Sequence, residues 1–247
     1  NTLLHRMTFS DQYQAVHTTI SNIKTAFDDS PTLKLKDALL IKNNEGQPAL
    51  QATLLENPDT STQTLTALAN SNTSGLTKDD WTEVLQAPDT NGNTPIHVWA
   101  KQEGDNLKPK DLMAVLAPLS ADQVVAVLTA GEPNTALHAL AQYGDNFGEL
   151  LHELSTTSFP SPGGVGGGVA GVAPQPLTAR QLTTLLAPAG KASPLHAAIQ
   201  SANEIQDIAT LIQITNDCMN KDNSHKNEFQ QVLTHKHQRK SISQRVF

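Results

Sequence analysis

The sequence has little of several features on which whole classes of protein depend. Its one cysteine, Cys218, excludes an internal disulfide and a cysteine-based zinc site. Aromatic residues make up 4% of the chain, so the core must consist mainly of Leu, Val, Ile and Ala, which favours helix packing over a β-sandwich. No stretch approaches the roughly eighteen consecutive apolar residues of a membrane-spanning helix. We therefore expect a soluble, all-α protein without a transmembrane segment.

Charge is distributed unevenly along the chain. Residues 1–220 carry 11 Lys/Arg against 22 Asp/Glu, whereas residues 221–247 carry 6 against 2. A basic end can bind phosphate-rich surfaces or a membrane, and Ser241 and Ser243 follow basic residues as in some kinase substrates. With so few charges and no interleaved aromatic residues, we expect no nucleic-acid binding and interpret 221–247 as a basic C-terminal helix or tail.

A nine-residue pattern recurs along the chain. It reads GNTPIHVWA at 92–100, PNTALHALA at 133–141 and KASPLHAAI at 191–199. A fourth, degenerate copy, GQPALQATL at 46–54, has Pro48 where Thr is expected and Gln51 where His is expected. A Thr or Ser hydroxyl followed by Pro is typical of a helix start, because the hydroxyl can accept first-turn amides and Pro has no N–H to lose.

A second pattern precedes these copies: a Leu is followed by apolar residues five, eight and nine positions later, on one face of a helix. The four sets are Leu76, Trp81, Val84 and Leu85; Leu107, Leu112, Val115 and Leu116; Leu119, Val124, Val127 and Leu128; Leu177, Leu182, Leu185 and Leu186. Thr77, Ser120 and Thr178 are the expected N-caps. Each unit thus reads as a helix, a polar turn, a TPLH-type helix and a return helix, such as 146–155.

TPIH, TALH and SPLH followed by Ala resemble the T-P-L-H-x-A signature of ankyrin repeats. The resemblance covers about 44–220 and implies an ankyrin-like α-solenoid with a protein-binding surface and no cofactor. It also implies that the motif residues are structural: Thr94, His97, Thr135, His138, Ser193 and His196. The copies lie 46, 41 and 58 residues apart, longer than the ankyrin period of about 33, so we expect three helices per unit in places. The low Arg content and the many Asn, Gln, Thr and His resemble effectors of intracellular bacteria.

The expected organisation is an N-terminal helical cap at 1–43, ankyrin-like repeats at 44–220 and the basic end. A helix at 10–28 would cover the first repeat. The Gly/Pro-rich stretch 159–176 lengthens the last step and is interpreted as a flexible insertion with no secondary structure. The stretch 205–219 is predicted to form a further helix.

The expected function is that of a non-catalytic scaffold that binds another protein, for example as a host-targeting effector region, with the chain monomeric and located in the cytoplasm or a host cytosol. Its contact surface would be the polar turns 89–93, 131–134 and 190–192 and the helix faces beside them. The expected contact residues are Asp89, Asn91, Asn93, Trp99, Glu132, Asn134, Tyr143 and Lys191.

Metal-binding and catalytic functions have weaker support in the sequence. The motif histidines occupy equivalent positions in successive units and would not converge on one metal ion, and His225, His235 and His237 form a poor zinc pattern. Cys218 could be a nucleophile, although a packing role is the favoured interpretation. The alternatives left open are an enzyme, through Cys218 or a catalytic domain outside this chain, and an architectural or self-associating role.

Overall fold

The leucine spacing of the sequence corresponds to helices in the structure. The structure is a computed structural model, and it describes residues 20–25, 34–144, 146–160, 173–186 and 193–201. Within these ranges the fold is all-α, and β-pairing is confined to two isolated bridges, Lys42 with Pro48 and Phe159 with Gln175. Residues 20–25 are helical, and the α-helices that follow them are α1 (Leu35–Leu40), α2 (Ala49–Glu56), α3 (Ser61–Ala69), α4 (Ser71–Ser74), α5 (Lys78–Gln86), α6 (Pro95–Glu103), α7 (Pro109–Leu116), α8 (Ala121–Leu128), α9 (Ala136–Tyr143), α10 (Phe147–Thr156), α11 (Ala179–Leu186) and α12 (Pro194–Ser201).

The helices pack in three rows. The first row is α1, α5, α8 and α11, and each helix contacts the next one in the row. The second row is α2, α6, α9 and α12, and the third is α3, α7 and α10, again with successive contacts. Each helix of the first row also contacts the second-row helix that follows it in the chain. The TPLH-type helices therefore all lie in one row, and the predicted return helix is α10.

The core is built from the positions that the spacing indicated. All sixteen residues of the four Leu-led sets are buried. Two tryptophans join the rows: Trp81 donates its indole N–H to the Val115 carbonyl at 3.0 Å, and Trp99 donates to the Thr62 hydroxyl at 3.2 Å. A buried indole needs such an acceptor, because an unpaired N–H would be costly. Helix packing thus follows the local apolar pattern, and the indoles fix its register.

The predicted helix caps are also present. Thr77 accepts the Asp80 amide at 3.1 Å, and Ser120 accepts the Gln123 amide at 3.4 Å. In each case the acid or amide side chain bonds back to the amide of the cap residue, which completes a capping box. The same exchange begins α11, between Thr178 and Gln181. These local signals define where the first-row helices start.

Some predictions concern residues only partly described. Of the expected helix 10–28, residues 20–25 are helical, and Ile20 is buried. The insertion is described at its ends only, where Phe159 and Gln175 exchange two backbone hydrogen bonds, of 2.9 and 3.1 Å, and residues 161–172 lie outside the described residues. The buried Phe159 anchors this pairing. The expected helix 205–219 and the basic end lie outside the described residues.

Candidate partner-binding surface

Polar turns connect the first and second rows of helices, and the first two turns are built alike. In 43–47 the Asn43 side-chain oxygen accepts the amides of Glu45 and Gln47 at 2.9 and 3.0 Å. In 89–93 the Asp89 carboxylate accepts the amides of Asn91 and Asn93 at 2.7 and 2.9 Å. An Asn or Asp side chain that bonds backbone two residues ahead is a strong turn former. Both turns therefore hold their backbone without help from a neighbour.

The third turn, 130–134, uses different bonds. It is closed by the Ala136 amide, which donates to the Ala130 carbonyl at 2.8 Å. The Glu132 amide donates to the Gly92 carbonyl at 3.0 Å, so the third turn pairs directly with the second. On the other side of the second turn, the Thr90 hydroxyl donates to the Glu45 carbonyl at 3.3 Å. The three turns are therefore contiguous; we call them the turn row (43–47, 89–93 and 130–134).

Two buried side chains of the second helix row also bond to the turn row. His97, at the start of α6, places Nε2 3.2 Å from the Asn134 carbonyl oxygen of the following turn. Gln51, at the start of α2, donates from Nε2 to the Asn93 carbonyl and to the Ala87 carbonyl, both at 2.8 Å. Asn93 and Asn134 each precede the motif threonine, so the two contacts are equivalent. Gln51, which departs from the motif in sequence, makes the contact that His97 makes.

Close approach requires glycine at two points of the turn row. A Cβ on Gly92 would lie 2.2 Å from the Glu132 carbonyl oxygen, and a Cβ on Gly131 would lie 2.3 Å from Cε1 of His97. Both glycines also have positive φ, 83° and 104°, which other residues rarely adopt. The imidazole therefore packs directly on the backbone of the third turn.

The expected contact residues on the turns differ in exposure. Asn91 and Glu132 are exposed, whereas Asp89, Asn93 and Asn134 are half-buried. Asp89 and Asn93 bond to each other through their side chains at 3.1 Å, in addition to the backbone contacts of the turn. The exposed pair can reach a partner directly, and the half-buried residues shape the backbone that presents them.

The remaining expected contact residues do not lie on the turn row. Trp99 is fully buried, and this prediction is wrong for a surface contact, because the indole packs in the core and bonds to Thr62. Tyr143 is half-buried and packs against the core from α9. Lys191 lies outside the described residues. Of the expected contact residues that the structure describes, Trp99 is therefore no longer a candidate for a surface contact.

The motif residues lie where the pattern predicts, at the starts of second-row helices. Thr135 accepts the His138 amide at 3.1 Å, as expected of a cap. The Thr94 hydroxyl lies 2.9 Å from Nδ1 of His97. The Ser193 hydroxyl instead donates to the Leu186 carbonyl at 2.7 Å, which joins α12 to α11. His196, on the first turn of α12, donates its amide to the Ser193 carbonyl at 3.0 Å.

Sequence reasoning missed the exposed residues of the first turn, Asn44 and Glu45, which lie just before the degenerate copy. Thr90, also exposed on the turn row, lies within the predicted turn 89–93. The available signal was Asn43, which stands five residues before Pro48 as Asp89 stands five before Thr94. An Asn or Asp at that spacing in both copies would have indicated a turn of the same construction.

A second set of links joins the starts of the first-row helices. Gln123 donates to the Asp79 carboxylate at 2.8 Å, and Gln181 donates to the Asp122 carboxylate at 2.7 Å, at the same positions of successive helices. Between α1 and α5 the link is ionic: the Lys36 ammonium lies 2.8 Å from Glu83 and 3.8 Å from Asp80.

The ionic link affects the protonation of its members. The hydrogen bond to Glu83 raises the pKa of Lys36, assisted by the nearby carboxylates, although desolvation opposes this. Burial alone would raise the pKa of the Asp80 carboxyl, but hydrogen bonds from the Thr77 hydroxyl and amide, together with Lys36, hold that pKa below its usual value. The first two helices of the first row are thus linked by an ammonium–carboxylate pair. The later helices of the row are linked by glutamine amides that donate to carboxylates.

The part of the chain that the structure describes contains no group of His, Cys, Asp or Glu side chains that could hold a metal ion. Cys218 and the C-terminal histidines are outside that part. Within the same part, no single helix is long and apolar enough to cross a membrane. Helices α7 and α8 would be long and apolar enough only if taken together, and the chain bends by 119° between them.

Comparisons with known proteins gave no assignment. No protein-family model matches the chain, and neither a curated protein nor a solved structure is similar to it.

Proposed function

We propose that this chain is a non-catalytic scaffold that binds another protein through the turn row of an ankyrin-like solenoid. Each unit of the solenoid would consist of one helix from each of the three rows. Successive contacts within every row, at steps of 46 and 41 residues between the first three motif copies, support this arrangement. The third helix accounts for the length of the unit beyond the ankyrin period.

The observation that carries the proposal is the continuity of the turn row. Backbone and side-chain hydrogen bonds join 43–47 to 89–93 and 89–93 to 130–134, so exposed side chains stand on a backbone that is already ordered. A partner that binds such a surface meets a small ordering cost, since the contact loops need not be fixed on binding. Asn44, Glu45, Thr90, Asn91 and Glu132 are the side chains offered.

The chemistry of this surface favours a partner segment that is polar and basic. Its two exposed ionic side chains, Glu45 and Glu132, are acidic and lie on either side of the uncharged Asn91. Complementary charge mainly raises the association rate and the specificity of a complex. Binding should therefore weaken as the ionic strength rises.

Site-specific photocrosslinking tests the proposal. A photoreactive amino acid at Asn91 should crosslink a partner in cells of the source organism, whereas the same group at the exposed Glu149 of α10 should not. Mass spectrometry of the Asn91 adduct identifies the partner. Adducts of equal yield and identity at both positions would mean that the turn row is not the contact surface.

Charge reversal then tests the surface with the purified partner. The pair Glu45→Lys and Glu132→Lys should weaken binding by about tenfold or more, while the control pair Glu56→Lys and Glu149→Lys, which changes net charge equally, should not. Circular dichroism should show the same helix content in both. Equal loss of affinity in the two pairs would assign the effect to net charge and contradict the proposed surface.

A further inference from the structure

The second turn contains a chemically labile pair of residues, Asn91 followed by Gly92. This pair is the only Asn–Gly step in the sequence. The side-chain amide carbon of an asparagine can be attacked by the backbone nitrogen of the next residue, and a following glycine has no Cβ to hinder that attack. Asn91 is exposed, so the leaving group can escape and water can enter. The step therefore meets the chemical requirements for deamidation.

Deamidation at this step would pass through a five-membered ring. The Gly92 nitrogen loses its proton to a base in the solvent and forms a bond to Cγ of Asn91. The Cγ–Nδ2 bond then breaks as Nδ2 takes up a proton and leaves as ammonia. Water opens the cyclic imide at either of its two carbonyls. One product is an aspartate at position 91, and the other is isoaspartate, whose backbone is one methylene longer.

The backbone of the second turn has the wrong conformation for this ring. The Gly92 N–H donates to the Asp89 carbonyl at 3.2 Å, which closes a four-residue turn. Neither central residue, Thr90 or Asn91, has positive φ. Of the hydrogen-bonded turn types without a cis proline, this leaves type I, in which the third residue has ψ of about 0°. At that ψ the Gly92 nitrogen is rotated about 120° away from Cβ of Asn91 around the Cα–C bond, whereas the ring needs the two nearly eclipsed.

Hydrogen bonds on both sides of the step hold this conformation. The Asp89 carboxylate accepts the Asn91 and Asn93 amides at 2.7 and 2.9 Å. On the other side, the Gly92 carbonyl accepts the Glu132 amide at 3.0 Å, and Gly92 packs so closely on the third turn that a Cβ would clash with the Glu132 carbonyl. Rotation about ψ of Asn91 would displace Gly92 from these contacts. They must therefore break before the ring can form.

We propose that Asn91 is a deamidation site, and that the rate of its deamidation is set by opening of the second turn. In the closed turn the Gly92 nitrogen is hydrogen-bonded and points away from Cβ of Asn91. In the open turn it is free to attack. The inference depends only on the structure of the turn, and so it holds whether or not the turn row binds a partner.

The product would alter the turn row in two ways. A carboxylate at position 91 adds a negative charge between Glu45 and Glu132, the two exposed acids of the turn row. Isoaspartate also lengthens the backbone just before Gly92, whose carbonyl must reach the Glu132 amide. The isoaspartate form should therefore lose the pairing between the second and third turns.

Mass spectrometry of the whole folded chain, compared with a synthetic peptide of residues 87–96, tests the inference. Both are incubated at pH 7.5 and the same temperature, and the conversion of the Asn91 amide to an acid is followed with time. The reaction should be about tenfold or more slower in the chain than in the peptide, because only the small population of open turns reacts. Asn44, which is exposed on the first turn but is followed by Glu45, should stay unmodified.

A matched pair of variants assigns the protection to the turn. Asp89→Ala removes the carboxylate that holds the Asn91 and Asn93 amides, so the rate should rise severalfold toward that of a peptide with the same change. Asp105→Ala, in the exposed segment between α6 and α7, changes net charge equally and should leave the rate unchanged.

Hydrogen exchange of the wild type provides a measurement that does not need Asp89→Ala to fold. The slowing of deamidation relative to the peptide and the exchange protection of the Gly92 amide report the same opening, and so the two factors should agree within about threefold.

Three results would overturn the inference. The first is an Asn91 rate in the folded chain equal to that in the peptide, since the turn would then give no protection. The second is the same slow rate in the wild type and in folded Asp89→Ala. The third is a Gly92 protection factor that differs from the slowing by more than about tenfold. None of these results depends on whether a partner is crosslinked at position 91, so the proposed function is tested separately.

Discussion

The first link of the turn row, from Gln51, and the second, from His97, occupy the same place with different chemistry. The Nε2 atom of Gln51 donates to two carbonyls, of Ala87 and Asn93, and this contact requires no glycine on the second turn. His97 uses both ring nitrogens and lies against Gly131. The comparison teaches that a motif position is defined by the carbonyl it must reach, so that a residue differing from the motif can still perform its role.

The largest effect is expected when the contact from Gln51 to the second turn is removed. Gln51→Leu should destabilise the chain by roughly 3 kcal/mol, since two part-buried carbonyls lose their donor and each unmet group costs about 1–3 kcal/mol. Urea denaturation followed by circular dichroism measures this. Gln142→Leu on the exposed face of α9 is the control and should change stability by less than about 0.5 kcal/mol. Equal effects would mean that the Gln51 bonds do not matter to folding.

The next effect concerns the space that the second link needs. Gly131→Ala should cost roughly 2 kcal/mol, because the new Cβ meets the His97 ring and the backbone has positive φ. Thr90→Ala, at the equivalent position of the second turn, should cost less than about 1 kcal/mol, because it loses only the exposed hydroxyl bond to the Glu45 carbonyl. Thermal denaturation of both variants provides the comparison. A harmless Gly131→Ala would show that the ring is not held against that turn.

Much of the fold follows from local sequence signals, and some of it does not. The Leu-led sets and the caps at Thr77, Ser120 and Thr178 depend only on residues within one helix, and so the helices they predict are present. Helix α3 was not predicted individually, because polar Ser61 and Thr64 stand among its buried positions and interrupt the apolar period. Its partners come from other units, which a local pattern does not report.

The candidate surface was predictable in outline only. The polar composition of 89–93 and 131–134 indicated turns, and both lie on the turn row. The role of Gln51 depends on a carbonyl 42 residues further along, and the burial of Trp99 depends on Thr62, 37 residues earlier. Such long-range pairings are set by how the rows pack and have no signature within either segment.

A smaller effect is expected at the helix caps of the first row, away from the turn row. Thr77→Ala removes the hydroxyl that accepts the Asp80 amide and donates to its carboxylate, and should cost about 1 kcal/mol. Because the folded pKa of Asp80 is lowered, its contribution is present above about pH 4 and is lost as the pH falls further. Urea midpoints at pH 7 and pH 3 check this: the cost of Thr77→Ala should shrink at pH 3. A cost unchanged at pH 3 would contradict it.

The smallest effect distinguishes the ionic link from the neutral ones. Lys36→Met should lower the thermal midpoint slightly at low salt and leave it unchanged at high salt, since salt screens exposed ion pairs. Gln123→Met removes the hydrogen bond from the Gln123 side chain to the Asp79 carboxylate, and the stability that it loses should depend less on salt. Thermal midpoints across a salt series measure both. The same salt dependence in the two variants would remove the distinction between the links.

The continuity of the turn row is tested most directly by scalar coupling across hydrogen bonds. With backbone resonances assigned, a long-range HNCO experiment at pH 7.5 should show a cross-peak between the Glu132 amide and the Gly92 carbonyl, whose atoms are 3.0 Å apart. A second should join the Gln51 side-chain amide to the Asn93 carbonyl. Absence of both, with the within-turn bond from Gly46 to Asn43 detected in the same spectrum, would contradict the account.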